Sequence, residues 1–188
     1  MGTGIMLETE RLVLRPVIAE DYEALLAYQS RPDVTRFLLW DPRTPGEVRE
    51  ALDRKIVSTT VDAEGDVLAL AIVRRDTAAM IGDVILALIS EADRTGELGY
   101  IIHPDHQGSG FATEAGSALL AHAFDTLGLH RVIGRVEARH TASARVLEKL
   151  GMRREACFVE NGFVKGEWQS ELVYAILERE WRAAHDGS

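Results

Sequence analysis

Gln107-Gly108-Ser109-Gly110-Phe111-Ala112-Thr113-Glu114-Ala115-Gly116 follows an apolar strand over 97–102 and the turn His103-Pro104-Asp105-His106. It opens a helix over 110–127 that contains no proline and carries Ala112, Ala115, Leu119, Ala123 and Leu127 on one apolar face. Gly128 is placed to stop that helix. Glycines at 108 and 110 let backbone N–H groups approach a ligand closely, and the unpaired N–H groups of a first helical turn carry partial positive charge. Such a junction is a docking place for an anion, a phosphate above all.

Downstream, residues 132–136 read as a strand and 141–150 as a helix closed by Gly151, so strand and helix alternate as in a crossover unit. Upstream, Leu12 and Leu14 alternate with Arg11, Val13 and Arg15 in a first strand that Pro16 ends. Helices follow over 21–28 and 45–59, the second opened by Pro45 and Glu47. The segments 66–73 and 80–89 are rich in Val, Ile, Leu and Ala and read as an antiparallel hairpin. Residues 154–159 and 171–177 read as two late strands around an Asn161-Gly162 turn signal. No internal repeat, linker or low-complexity segment interrupts the 188 residues, which fit one domain with its core over 7–182.

Composition narrows the function classes. Twenty-one basic against 30 acidic residues give a net charge of −9, which argues against a nucleic-acid binder; acidity attracts cationic substrates but equally serves solubility, so charge alone selects no substrate. No apolar run approaches the roughly 20 residues that a membrane helix needs. Met1 to Met6 carry no basic segment followed by an apolar stretch, so the expected location is cytoplasmic. Cys157 is the single cysteine and cannot form an internal disulfide. His103 and His106 lack the further ligands of a metal site, and no metal is expected. A dinucleotide or P-loop reading of Gly108-Ser109-Gly110 fails in detail. Thr113 replaces the third glycine of G-x-G-x-x-G, no Gly-Lys-Ser/Thr follows, and the N-terminal half lacks repeated strand–helix units.

The segment from Ile102 to Ala112 resembles the acetyl-coenzyme A signature Gln/Arg-x-x-Gly-x-Gly/Ala of the GNAT acetyltransferases, with Gln107, Gly110 and Ala112 at its fixed positions. His140-Thr141-Ala142-Ser143-Ala144-Arg145-Val146-Leu147-Glu148-Lys149-Leu150-Gly151-Met152 is similar to the Asn-x-x-Ser-x-x-Val-Leu-x-Lys-x-Gly-Phe segment of the RimJ/RimL-like branch. Residues 7–16, and Gly166-Glu167-Trp168 with Tyr174 and Trp181, resemble that branch's first strand and C-terminal end. Two positions depart: His140 stands where the family usually has Asn, and Ser170 where the branch often has Asp.

The resemblance implies an α/β fold, more closely an α+β mixed sheet of six to seven strands flanked by about four helices. It implies an N-acetyltransferase that moves the acetyl group of acetyl-CoA to a primary amine by direct attack in a ternary complex. The acceptor is a protein N-terminal α-amine or a small-molecule amine, and a homodimer is left open. Cofactor-binding residues implied are Ile102 through its backbone N–H, Gln107, Gly108, Ser109, Gly110, Phe111, Ala112, Thr113, His140 and Ser143. Catalytic candidates are Glu97 as base, Glu137 as second base, and Ser143 as a proton relay near the sulfur. Leu147 stands where many GNAT enzymes place a tyrosine that protonates the leaving thiolate, so that role is vacant or held elsewhere. Tyr100 is read as a core residue, and residues 37–40 as a wall of the acceptor pocket or ordinary packing. A second function class stays open: a catalytically silent acyl-CoA sensor that keeps the cradle alone.

Overall fold

The computed structural model describes residues 4–185. Its strands are β1 (Leu7–Glu8), β2 (Leu12–Pro16), β3 (Val67–Arg74), β4 (Met80–Ser90), β5 (Thr95–Ile102), β6 (Arg131–Glu137), β7 (Arg153–Val164) and β8 (Glu167–Leu177). They form one sheet in the order β1-β2-β3-β4-β5-β6-β8-β7. Helices are α1 (Tyr22–Gln29), α2 (Pro32–Thr35), α3 (Pro45–Val57), α4 (Phe111–Ala121), α5 (Thr141–Lys149) and α6 (Glu178–His185).

The strand β3 shows why the sheet holds two helical layers. Leu68, Leu70 and Ile72 join a core cluster with Phe111, Ala115 and Leu119 of α4, while Ala71 and Val73 join a second cluster with Leu25 and Tyr28 of α1 and Val48 and Leu52 of α3. A strand buried on both faces has no polar alternation, hence its near-continuous apolar sequence. Burying each leucine contributes roughly 1.5–3 kcal/mol. The helix α3 begins on a capping box in which Thr44 Oγ1 accepts from Glu47 N–H and the Glu47 carboxylate accepts from Thr44 N–H, with Pro45 in the first turn.

All pairings are antiparallel except that of β5 with β6, which covers only Thr95↔Arg131, Gly96↔Val132 and Glu97↔Ile133. Beyond Glu97 the two strands part. Below the resulting gap α5 lies close on β6, where a Cβ at Gly134 would stand 2.7 Å from Leu147 Cδ2.

Three expectations change. The sheet has eight strands rather than six to seven, because β1 is a two-residue strand too short to leave a period, and six α-helices are present among the described residues. The expected helix over 110–127 is α4 to Ala121 followed by a π-helical turn, His122–Thr126. The late hairpin turns at Lys165-Gly166, both at positive φ, while Asn161-Gly162 sits inside β7 beside a register shift between Phe158 and Gly162. There Glu160 adopts φ 49°, and its N–H donates to Ser170 Oγ at 2.9 Å. A turn dipeptide thus serves a bulge. No described helix is long and apolar enough to cross a membrane. Residues 1–3 of the N-terminal reading lie outside the described residues.

Candidate active site

The gap between β5 and β6 opens backbone groups. His103 N–H donates to the Ile81 carbonyl at 2.8 Å, on the β4 side, whereas the Ile102 carbonyl accepts from Gln107 Nε2 at 2.9 Å. Alternate residues of an extended strand present their N–H and C=O to opposite edges. The N–H groups of Leu98, Tyr100 and Ile102 therefore face the edge that β6 leaves beyond Glu97. The gap widens into a cleft of about 750 Å³ lined from both faces of the sheet.

On the α4–α5 face the cleft is bounded by the turn over 107–113. Gly108 and Gly110 have φ of +75° and +82°, where an L-residue is strained. Gly110 is the N-cap of α4, so the N–H groups of that helix's first turn open beside the cleft. The turn is braced from the connection between β1 and β2: Arg11 Nη1 donates to the Ser109 carbonyl at 3.1 Å, and Arg11 Nε and Thr9 Oγ1 donate to the Glu114 carboxylate at 2.7 and 2.6 Å. Gln107, Gly108, Gly110, Phe111, Ala112 and Thr113 all line the cleft, and Ser109 does not. The Gln107 amide is spent on Ile102, so it shapes the turn.

The start of α5 supplies the opposite bank. Tyr100 Oη lies 3.0 Å from both the carbonyl oxygen and Oγ of Ser143. Burial pushes the Tyr100 phenol up to about 12, with the Ser143 hydrogen bond opposing. The Tyr100 hydroxyl therefore stays protonated and tethered at Ser143, while the side chain lines the cleft. His140 stacks on Phe37 with ring centroids 4.7 Å apart, and burial lowers its pKa, opposed by Glu137, which favours the neutral imidazole. Of residues 37–40, Phe37, Leu38 and Trp40 line the cleft, while Leu39 is 81% exposed.

The carboxylate candidates separate. Glu137 lines the cleft but accepts from Arg139 N–H at 2.8 Å and Arg139 Nε at 2.7 Å. Glu97 is not among the lining residues; its carboxylate lies 3.7 Å from Nε of Arg135, which is. Burial raises the Glu97 pKa, Arg135 opposes, and Glu171 adds to the rise.

The α1–α3 face holds residues that the sequence reading did not single out. Asp83, 2% exposed, accepts from the Tyr28 hydroxyl and from Lys55 Nζ. Burial raises the Tyr28 phenol pKa well above its ordinary value, and Asp83 adds to it. Arg43 Nη1 donates to Gln29 Oε1 at 2.6 Å, and its guanidinium lies 4.0 Å from the Trp40 ring centre. Asp83, Lys55, Gln29, Arg43 and Arg54 all line the cleft. One signal was available: Asp83 is a lone carboxylate inside the apolar run Met80–Ile89. The others are too far apart in sequence to declare a cluster.

Comparison with known proteins now identifies the architecture. Residues 11–153 match the acetyltransferase (GNAT) domain family. The chain is 31% identical over 175 residues to the uncharacterised N-acetyltransferase YnaD of Bacillus subtilis, covering 92% of this chain and 97% of that one. It superposes on a GNAT-family acetyltransferase of Bacillus anthracis with a TM-score of 0.84 at 28% identity, over 93% of this chain and 99% of that one. A spermidine N-acetyltransferase from Vibrio cholerae, in complex with CoA and spermine, shares the fold with a TM-score of 0.78 at 23% identity, over 92% and 99% of the two chains. The chain belongs to the GNAT acetyltransferase family and is a GNAT-family N-acetyltransferase.

Proposed function

We propose that this GNAT-family enzyme uses acetyl-CoA as donor, held in the gap between β5 and β6 and at the turn over 107–113, and acetylates a primary amine entering from the α1–α3 face. The observation that carries this reading is the early end of the β5–β6 ladder beside the two positive-φ glycines. That arrangement offers strand-edge N–H groups to a pantetheine arm and helix N-terminal N–H groups to a pyrophosphate. It fits the bound CoA of the V. cholerae relative. The 140–152 segment supports reading residues 1–188 as one acetyltransferase domain of RimJ/RimL-like type, and a cytoplasmic location is part of the same proposal.

Acetyl-CoA supplies an activated acyl group as a thioester. The acceptor nitrogen bonds the acyl carbon, the C–S bond breaks, and one proton passes from nitrogen to a base. The Ile102 N–H polarises the carbonyl. Glu97, whose pKa burial raises and which does not itself line the cleft, takes the proton through water, and Arg135 restrains that rise. Glu137, held by Arg139, is the weaker candidate. Ser143 and Tyr100 stand where charge develops on sulfur. With its pKa near 12 the phenol stays protonated and spends its proton on Ser143, so the Ser143 hydroxyl, positioned by Tyr100, is the group that donates a hydrogen bond to the thiolate. His140 and Phe37 shape the wall between donor and acceptor.

Calorimetry with acetyl-CoA, followed by coenzyme A release with a panel of amines, tests this. Gly110→Val is expected to lose donor binding, since it strains the turn and crowds Arg11 Nη2, already 3.5 Å from a Cβ at that position. Unchanged affinity in that variant overturns the cradle assignment, and tight binding with no amine acetylated supports an acyl-CoA sensor.

A further inference from the structure

The acceptor side of the cleft is cationic, although the chain carries a net charge of −9. Arg43, Arg54 and Lys55 line it together, against one buried carboxylate, Asp83. That carboxylate is already engaged by Lys55 and by the Tyr28 hydroxyl. Arg43 differs from Lys55 in having no ion-pair partner among the described residues; its contacts are the Gln29 amide oxygen and the face of Trp40. Burial and the neighbouring Arg54 both disfavour its charge, with Asp83 and Glu47 only opposing. A half-buried guanidinium without a countercharge is a costly arrangement that a bound anion relieves.

Gln29 fixes the Arg43 guanidinium. It is 0% exposed and lines the cleft. Its amide orientation is set by Arg43, which can only donate, so Oε1 faces Arg43 and Nε2 faces away. Nε2 makes no hydrogen bond. It does lie near enough to Tyr28 to ease that phenol's ionisation slightly, but an amide nitrogen carries two N–H groups and that hydroxyl satisfies at most one.

Resting on the acetyltransferase reading above, we infer that the acceptor amine carries an oxyanion on a nearby carbon, as an α-amino acid or an aminoalkyl phosphonate does, and that Arg43, held in place by Gln29 Oε1, binds that oxyanion. The same geometry disfavours a polyamine. Its second and third ammonium groups would meet Arg43, Arg54 and Lys55 with no free carboxylate among them. Trp40, stacked on Arg43, lines the same pocket.

The test is a coenzyme A release assay at saturating acetyl-CoA. The panel comprises α-amino acids, aminoalkyl phosphonates, the matching amines lacking the acid group, and spermidine. Oxyanion-bearing acceptors should exceed their stripped counterparts and spermidine by roughly 10- to 100-fold in kcat/KM, the worth of a charge-assisted hydrogen bond. Arg43→Gln should raise KM for those acceptors by a similar factor while leaving acetyl-CoA affinity by calorimetry unchanged. Arg43→Lys should recover part of the loss, and Arg43→Glu should move preference toward spermidine. Equal use of stripped amines, a preference for spermidine in the unaltered enzyme, or acetyl-CoA binding with no oxyanion acceptor acetylated overturns this inference and leaves the donor assignment standing. Absence of acetyl-CoA binding overturns the donor assignment itself.

Discussion

Asp83→Asn tests whether the buried cluster on the α1–α3 face is an ion pair that stabilises the fold. Asp83 is 2% exposed, and Lys55, its cationic partner, is 18% exposed at the side chain. Removing one member of a fully buried pair costs about 3–5 kcal/mol, because the remaining charge is stranded. Lys55 borders the cleft and can recover some hydration, which argues for the lower end, about 3 kcal/mol. The amide oxygen that replaces the carboxylate can still accept from Tyr28, so the hydrogen bond adds little to the loss, whereas Asp83→Ala strands the phenol as well and should cost about 1–2 kcal/mol more. For a chain of this length a loss of about 3 kcal/mol lowers Tm by about 6–12 °C. Urea unfolding at pH 7, followed by tryptophan fluorescence and far-ultraviolet circular dichroism, measures it. The decisive comparison adds Lys55→Met: in the double variant the uncompensated charge is gone, so the combined loss should fall short of the sum of the single losses by about 2 kcal/mol. Additive losses, or a loss below about 1 kcal/mol for Asp83→Asn, refute the argument.

Glu97→Gln should lower kcat at least about tenfold and remove the acidic limb of the pH–rate profile, with acetyl-CoA affinity unchanged; an unaltered profile removes Glu97 from the mechanism. The Tyr28 phenol has a folded pKa well above its unfolded value of about 10, so the stability it contributes is full below about pH 10 and declines as pH rises beyond that toward the folded value. Between about pH 9 and 11.5 the urea midpoint should therefore fall more steeply in the unaltered protein than in Tyr28→Phe, and parallel declines count against the assignment. Gly134→Ala places a Cβ 2.7 Å from Leu147 Cδ2 and should cost about 1–3 kcal/mol in urea unfolding through displacement of α5; a neutral result would mean that α5 shifts freely.

Much of this was legible in the sequence because its signals are local. Pro45 and Glu47 mark the start of α3, and the glycines at 108, 110 and 151 occupy positions whose φ is positive in the structure. The apolar runs of β3 and β4 pair antiparallel, as the hairpin reading expects. Asn161-Gly162 misled for a physical reason. Its backbone preference for left-handed geometry is real, but Glu160 next to it takes the positive φ and the bulge absorbs it, while Lys165-Gly166 turns the chain. In the site, the turn over 107–113 was readable as a motif, whereas Tyr100 beside Ser143 and Arg43 beside Gln29 depend on tertiary proximity across 43 and 14 residues. Net charge speaks less to the acceptor than the cleft does, because it sums the whole surface while binding is decided by the few groups that line the site.

The ladder of three residue pairs between β5 and β6 has a mechanical meaning. It is the seam at which β1–β5 on one side and β6, β8 and β7 on the other are joined within the sheet, and beyond Glu97 the two parts meet through helices and side chains, such as the Tyr100–Ser143 contact and the Phe37–His140 stack, rather than through the ladder. A donor bound in the gap as proposed would take the place of missing rungs and act as a temporary structural member as well as a reactant. Each turnover then removes and replaces a piece of the sheet, and the amides of Leu98, Tyr100 and Ile102 are where hydrogen exchange should register its coming and going.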